Sequence, residues 1–214
     1  MKVLFEDKHL IVCVKPAGVL SQGDAKGTEN MLTLLGDVYP VHRLDRETAG
    51  VMVFAKTEKA AGAMSRLVQS HEEFRKEYLA VLEGVPRTPR DTLCDLLFHD
   101  ATRNKSYVVD KERRGVKRAE LSYETLATNE DGEGRRTSLV RVRLHTGRTH
   151  QIRVQFASRQ LPLVGDRKYG GHAHAGGLAL FACRLSFCHP MTGEELSLEA
   201  LPEAGGAFDA FSLA

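Results

Sequence analysis

This chain consists largely of short strand-like segments separated by turns, with few helical patterns between them. In the clearest segment Val140, Val142 and Leu144 alternate with charged residues, as in a strand with one buried face. Similar segments lie at residues 106–109 and 116–127. This arrangement of hairpins, without alternating βαβ units, predicts an α+β fold.

The other segments fit the same class. Helices are predicted at residues 31–35, from a cap at Thr57 onward, and at residues 147–159 after a Thr-Gly turn. The remaining strand-like segments are residues 2–5, 9–14, 50–55, 78–82, 178–188 and 196–198, and residues 165–177 read as a glycine-rich loop.

The composition indicates a globular protein with a hydrophobic core. The chain has 214 residues, of which 42% are hydrophobic and 27% are charged, enough for one large domain or two small lobes. No apolar run approaches the roughly 20 residues of a membrane span, and Glu6 and Asp7 interrupt any signal-peptide pattern. We therefore expect a cytoplasmic protein. None of the four cysteines forms a C-x-x-C pair, so zinc and redox motifs are unsupported.

Positive charge is concentrated rather than large in total. The formal net charge is +2, yet basic residues crowd residues 103–118 and 135–153. Such clustering is typical of a phosphate-binding face. For residues 103–118 a solvated strand edge protected against aggregation is an equally good interpretation, because Asp110 and Glu112 dilute the patch.

One short segment suggests chemistry. Residues 41–50 read VHRLDRETAG and place Asp45 between Arg43 and Arg46. A carboxylate flanked by cations stays ionised, which suits nucleophilic or acid–base work on an anionic substrate. Taken alone, this pattern would favour an ordinary ion pair in a loop.

Further segments change that interpretation. Residues 76–84 read KEYLAVLEG, residues 144–155 read LHTGRTHQIRVQ, and residues 165–170 read GDRKYG. In this order, together with the Asp45 segment, they resemble the motifs of the RluA-type pseudouridine synthases, cofactor-free enzymes that isomerise uridine in structured RNA. The resemblance extends from Val3 through Phe187.

The resemblance implies a fold and a partner. The expected fold is a mixed, largely antiparallel central sheet flanked by helices, with two halves around an RNA-binding cleft. We expect a single catalytic domain over residues 1–214, without the small basic RNA-binding domain that precedes it in many relatives. Structured ribosomal or transfer RNA is the expected partner of a monomer that needs neither cofactor nor metal and has no membrane association.

The resemblance also assigns roles to residues. Asp45 occupies the position of the catalytic aspartate, Tyr78 the position of a tyrosine beneath the target base, and Arg153 the position of a basic residue that pairs with the aspartate. Arg43 is expected to fill the gap left by a flipped base, because its planar cation both stacks and binds phosphate. The other expected RNA-binding residues are His42, Arg46, Thr48, Gly147, Arg148, His150, Gln151 and Ile152.

Two other functions compete with this one. A non-catalytic RNA-binding or chaperone protein could have the same fold, although the presence of Asp45, Tyr78 and Arg153 together argues against it. A carboxylate-dependent glycosidase usually needs two placed carboxylates, and only Asp45 lies in a motif. His172 and His174 raise the question of a metal, but their glycine-rich surroundings favour a solvated loop.

Overall fold

The computed structural model describes residues 1–70 and 73–213, which group into two compact units. The first unit comprises Met1–Glu77 and Phe181–Pro202, and the second comprises Tyr78–Leu180 and the residues from Glu203 onward. The elements follow in the order β1 (Val3–Glu6), β2 (Leu10–Lys15), α1 (Met31–Leu35), β3 (Tyr39–Pro40), β4 (Ala49–Ala55), α2 (Glu58–Gln69), β5 (Phe74–Glu83), β6 (Arg90–Asp100), β7 (Lys105–Val109), β8 (Val116–Glu130), β9 (Arg136–Leu144), α3 (Gln151–Ala157), β10 (Leu180–Cys188), β11 (Glu195–Glu199) and a 3-10 helix (Ala207–Ala210).

The first unit is organised around β4. This strand pairs antiparallel with β2 and with the two residues of β3, and parallel with β10 at Ala49 and Gly50. β1 pairs with β2, and β11 pairs with β10, both antiparallel. Val51 through Ala55 are buried, as expected for a strand covered on both faces. The parallel pair makes the sheet mixed, as predicted.

Gly50 is required where β4 meets β10. Its φ is +130°, and a Cβ added there would lie 2.3 Å from the carbonyl oxygen of Ala182. Only glycine permits this backbone approach without strain.

The helix α2 begins as its sequence predicts. The Thr57 hydroxyl accepts a hydrogen bond from the Ala60 amide at 3.2 Å, and Glu58 lies in the positively polarised first turn. Ala60 and Met64 are fully buried on the face that packs inward, whereas Leu67 and Val68 are half-buried. The predicted short helix at residues 31–35 is also present and is capped by Asn30.

The second unit contains an antiparallel sheet with the order β9-β8-β6-β7. β6 was not predicted from the sequence. Its inward-facing positions include Leu93, Leu97 and, between them, Asp95, which interrupts the apolar alternation. Asp95 is accommodated because it accepts hydrogen bonds from Gln155 Nε2 at 2.7 Å and Arg159 Nη1 at 2.9 Å.

The apolar face of this sheet supports α3. Val154 packs with Leu97 and Ala119, and Phe156 contacts the Tyr123 ring edge-to-face at 5.4 Å between centroids. These contacts fix the helix that carries Arg153. Within the described residues, no helix is long and apolar enough to cross a membrane.

Candidate active site

Asp45 lies in the loop between β3 and β4, where it opens a tight turn. The Thr48 amide donates to the Asp45 carbonyl at 3.1 Å. The Asp45 side chain is partly exposed, and both Arg43 and Arg46 are exposed. The loop therefore presents a carboxylate and two cations at the surface of the first unit.

A buried lysine anchors this loop through hydrogen bonds to backbone carbonyl groups. Lys15 is fully buried at the end of β2, and its Nζ donates to the carbonyl oxygens of Pro16 at 2.8 Å, Val19 at 2.7 Å and Arg46 at 3.1 Å. Burial lowers the pKa of Lys15 to about 8, while the charges of Glu47 and Asp45 oppose that shift. Lys15 was missed from the sequence, where it marked only the end of a strand. The signal was a lysine inside an apolar run directly before Pro16.

Other bonds tie the same loop to residues 18–21. The Gly18 amide donates to the Arg46 carbonyl at 2.8 Å, and the Arg46 Nε donates to the Gly18 carbonyl at 2.8 Å. The Ser21 hydroxyl donates to the Leu44 carbonyl at 2.7 Å and accepts from the Leu44 amide at 2.9 Å. Arg46, expected to contact RNA, thus also has a structural bond to Gly18. Asp45 is flanked on both sides by anchored residues.

His42 stabilises the loop without acting as an acid or base. Its Nε2 accepts from the Val53 amide at 3.2 Å, and its ring meets Phe74 edge-to-face at 5.3 Å. Burial, and secondarily the charge of Lys76, lowers the pKa of His42 to about 3. The imidazole is therefore neutral at physiological pH. Thr48 is likewise buried at the end of the turn.

In the second unit the predicted helix is shorter than expected. α3 spans Gln151–Ala157, so residues 147–150 form a turn rather than its first turn, and His150 adopts a left-handed conformation with φ of 54°. The Gln151 side chain closes this turn. Its Oε1 accepts from the Arg148 amide at 2.9 Å and the Thr146 hydroxyl at 2.8 Å. The Arg148 amide is therefore satisfied within the turn, and an RNA contact by the Arg148 side chain stays a prediction.

The remaining residues of this segment are mostly buried. Gln151, Ile152 and His150 have relative exposures of 2%, 4% and 7%, whereas Gly147 is exposed. His150 Nδ1 lies 2.9 Å from the Tyr169 hydroxyl. His145, which precedes this segment, bonds the Ser122 hydroxyl through Nε2 at 3.0 Å. Each of these two histidines thus bonds a hydroxyl side chain. RNA contacts by the buried residues stay a prediction.

Arg153 forms a bidentate ion pair with Asp166. Its Nε and Nη2 donate to the two carboxylate oxygens at 2.7 and 2.8 Å, and the two side chains are 7% and 0% exposed. The guanidinium carbon also lies 5.2 Å from the centroid of the Tyr169 ring. The sequence indicates no role for Asp166 beyond its place in the GDRKYG segment. The expected contact between Arg153 and Asp45 stays a prediction.

Tyr78 lies on β5 and is buried, with a relative exposure of 6%. A buried ring at a strand position satisfies one requirement for stacking beneath a base, but it is equally compatible with core packing.

A basic hairpin occupies the edge of the sheet in the second unit. We use this name for residues 98–118, which comprise the end of β6, β7 and the start of β8. Between Arg103 and Arg118 there are seven cations and two acids. Two aromatic rings pair across its strands, Phe98 opposite Tyr107, and the Arg113 guanidinium lies 4.9 Å from the Phe98 centroid. Clustered cations beside partly exposed rings are suited to nucleic acid.

The histidine-containing loop, residues 172–174, is bonded to the end of β5. The His172 amide and Nδ1 both bond the Glu83 carboxylate, at 2.6 and 2.7 Å. This pair lines a cavity of about 860 Å³ together with Val81, Val164 and Arg135. Over residues 1–70 and 73–213, no three His, Cys, Asp or Glu side chains are grouped to hold a metal ion.

Comparisons with known proteins agree with the motifs. Residues 9–158 match the family described as RNA pseudouridylate synthase. An uncharacterized RNA pseudouridine synthase, YhcT, from Bacillus subtilis is 33% identical over 212 residues, covering 94% of this chain and 68% of the relative. A tRNA pseudouridine synthase C from Pasteurella multocida is 31% identical, covering 92% and 90%. A ribosomal large subunit pseudouridine synthase D from Zymomonas mobilis is 32% identical, covering 94% and 68%.

Solved structures share the fold. The human RNA pseudouridylate synthase domain containing 4 aligns with a TM-score of 0.74 at 24% identity, covering 95% of this chain and 89% of that one. The human RNA pseudouridylate synthase domain containing 1 aligns with a TM-score of 0.76 at 22% identity, covering 94% of this chain and 83% of that one. Together, the match over residues 9–158 and the sequence relatives show that this chain belongs to the RluA-type RNA pseudouridine synthases, a family of isomerases.

Proposed function

We propose that this chain converts uridine to pseudouridine in a structured RNA and that Asp45 is the catalytic carboxylate. The observation that carries the proposal is the anchored loop around Asp45. Lys15 binds the carbonyl of the next residue, and Ser21 binds both backbone groups of the preceding residue. A reacting group held in place before the substrate arrives lowers the barrier, because its orientation costs no further entropy during the reaction.

The reaction requires rearrangement but no external reagent. The bond between N1 of uracil and C1′ of ribose breaks, the base turns, and its C5 carbon bonds to C1′. The proton lost from C5 is balanced by a proton gained at N1, so no electron or water is consumed. A carboxylate could attack the sugar, attack the base, or remove a sugar proton, and all three routes use Asp45.

The other proposed roles follow the order of events. A uridine inside folded RNA must leave its stack before Asp45 can reach it. Arg43, which is exposed, would fill the space left behind. Tyr78 would stack against the extruded base, and Arg153 would pair with Asp45 during the reaction.

Charge supports binding of the RNA backbone by the second unit. The basic hairpin offers seven cations against three acids, and several of the cations are highly exposed, such as Arg103 and Arg118 with 75% and 71% of the side chain accessible. We propose that this surface contacts phosphates flanking the target uridine. Ribosomal and transfer RNA, named for the relatives, are the candidate substrates, and a monomer in the cytoplasm is the proposed working state.

The test is to treat total RNA from the source cell lacking this gene with purified protein and to map pseudouridine position by position. Wild type, Asp45→Asn and Glu47→Gln are compared. Glu47 is an exposed carboxylate on the same turn, so Glu47→Gln controls for loss of negative charge from the loop. New pseudouridine is expected with wild type and Glu47→Gln, and none with Asp45→Asn.

The alternatives predict other outcomes. RNA binding without pseudouridine from wild type would support a non-catalytic RNA-binding protein. Release of free uracil would support a glycosidase. For the substrate itself we expect a compact stem-loop, so equal affinity for folded and unfolded forms of the modified RNA would contradict the proposal about its shape.

A further inference from the structure

The pairing of Arg153 with Asp166 has the geometry of a device that orients a guanidinium. Two parallel hydrogen bonds, at 2.7 and 2.8 Å, run from Nε and Nη2 to the two carboxylate oxygens. Such fork-to-fork pairing fixes the plane and the direction of the guanidinium, which a single contact cannot do.

The burial of this pair indicates a purpose beyond stability. Asp166 is 0% and Arg153 is 7% exposed at the side chain. Removing two charges from water costs several kcal/mol per ion, and the attraction between them offsets this cost only with excellent geometry. Apolar residues of similar volume would often stabilise a core equally well. A buried pair of this kind on a functional segment therefore suggests a requirement for orientation.

Asp166 is itself rigidly held. Its amide donates to the Leu163 carbonyl at 3.0 Å, and its own carbonyl accepts from the Tyr169 and Gly171 amides at 3.1 and 2.9 Å. A Cβ at Gly171 would lie 2.2 Å from the Leu163 carbonyl oxygen, so this turn closes only with glycine there. The carboxylate thus has a fixed position from which to act on Arg153.

Tyr169 is a second support of the Arg153 guanidinium. Its ring lies beneath the guanidinium, 5.2 Å from centroid to Cζ, where a cation is attracted by the ring face. The Tyr169 hydroxyl accepts from the Ser106 amide at 2.7 Å and bonds His150 Nδ1 at 2.9 Å. Burial raises the pKa of Tyr169, so its hydroxyl stays protonated. The ring is therefore anchored to β7 and to the turn before α3.

We propose that Asp166 is a positioning residue for the isomerisation, holding the Arg153 guanidinium in the orientation that the reaction needs, with the Tyr169 ring as its second support. This inference rests on the proposed function, in which Arg153 acts at the reacting centre. Asp166 acts through Arg153 and does not itself contact the RNA.

The test is a double-mutant cycle of Asp166→Asn and Arg153→Lys, measured as single-turnover pseudouridine formation on total RNA from the source cell lacking the gene. Asp166→Asn keeps the side-chain shape and removes the charge that fixes Arg153. Displacing a reacting group by about 1 Å can cost about 100-fold in rate. We therefore expect Asp166→Asn to lose about 100-fold in rate, with RNA affinity unchanged within about twofold. In the Arg153→Lys background, Asp166→Asn should cost less than about twofold, because the group it acts through is gone.

Asp95→Asn is the matched control. Asp95 is another largely buried carboxylate that binds side chains of the α3 region, Gln155 and Arg159, but it does not bind Arg153. Its substitution should leave the rate of the folded protein unchanged. Tyr169→Phe provides a second, milder variant, since it keeps the ring and removes only the hydroxyl. We expect a rate loss of roughly 3- to 10-fold from it, consistent with a small displacement.

The outcomes separate the two proposals. A wild-type protein that forms no pseudouridine would overturn the proposed function and this inference with it. An active wild type with an Asp166→Asn variant that is folded and equally fast would overturn this inference alone. The same holds if the losses from Asp166→Asn and Arg153→Lys multiply, because then Asp166 would not act through Arg153.

Discussion

Replacing His42 by Gln should remove much of the acid sensitivity of this protein. His42 sits three residues before Asp45, and its Nε2 accepts from the Val53 amide. Gln can place an oxygen near the same point, so the acceptor is retained while the titrating group is lost. The ring contact with Phe74 is lost as well. This loss lowers the free energy of unfolding by the same amount at every pH, so it does not change the pH dependence of stability.

The magnitude follows from the pKa of His42, which burial lowers from 6.5 to about 3. Between these values the unfolded chain binds a proton that the folded chain does not, so the free energy of unfolding falls as the pH falls through this window. Relative to neutral pH, the loss from this one group is about 2 kcal/mol at about pH 5. For a chain of this size that corresponds to a decrease in Tm of roughly 4–8 °C.

The assay is urea unfolding of wild type and His42→Gln at neutral pH and at about pH 5. The control is His174→Gln, which removes an exposed histidine from a loop of the second unit. Wild type and His174→Gln should lose the same stability on acidification, and His42→Gln should lose about 2 kcal/mol less. Equal losses in all three proteins would refute the assignment of a neutral, buried imidazole beside the Asp45 loop.

Three further outcomes are expected. Burial lowers the pKa of Lys15 from 10.5 to about 8, so between these pH values Lys15 is protonated in the unfolded chain but largely neutral in the folded chain. The stability of wild type should therefore rise by about 1 kcal/mol between about pH 7 and about pH 9, and Lys15→Met should lack this rise in unfolding measurements. Gly50→Ala should prevent native packing of β4 against β10, seen as loss of the cooperative unfolding transition, because its Cβ would lie 2.3 Å from the Ala182 oxygen; an unchanged transition would contradict that strain. Neutralising three cations of the basic hairpin should reduce the slope of log affinity against log salt for RNA by roughly 2 to 3. Neutralising two cations of α2 should leave that slope unchanged. A hairpin variant with the same slope as wild type would show that the phosphates bind elsewhere. The hairpin substitutions are Arg113→Gln, Lys117→Gln and Arg118→Gln, and those on α2 are Lys59→Gln and Arg66→Gln.

Local signals in the sequence were sufficient for much of the fold. The Thr57 cap with Glu58 in the first turn located α2, and the apolar run after Gly50 located β4. Both depend on residues close together in the chain, so they can be inferred before the fold is known.

Elements that depend on distant partners were missed or misplaced. β6 was hidden because Asp95 takes an inward position that its partners Gln155 and Arg159 make acceptable. The start of α3 was placed four residues early, because the Gln151 side chain closes the preceding turn in a way that no propensity predicts.

The site residues also divide into those indicated by a local motif and those that depend on distant partners. Asp45, Tyr78 and Arg153 could be proposed from their motifs, since a motif carries its chemistry along the sequence. The sequence shows Lys15 only as a charge within an apolar run and Asp166 only as part of GDRKYG, because the partners of a buried charge are set when the chain folds. Lys15 reaches a carbonyl 31 residues away. Supporting residues of this kind are set by tertiary packing rather than by local pattern.

The hydrogen on C5 of uracil reports whether the Asp45 carboxylate carries out the isomerisation. RNA containing the mapped target would be labelled with tritium at C5 and mixed with excess wild type or Asp45→Asn, with RNA binding measured in parallel. We expect wild type to release one tritium for each pseudouridine formed and no free uracil, and Asp45→Asn to bind the RNA but release no tritium. Release at the wild-type rate from Asp45→Asn would contradict this expectation, because the reaction would then proceed without this carboxylate.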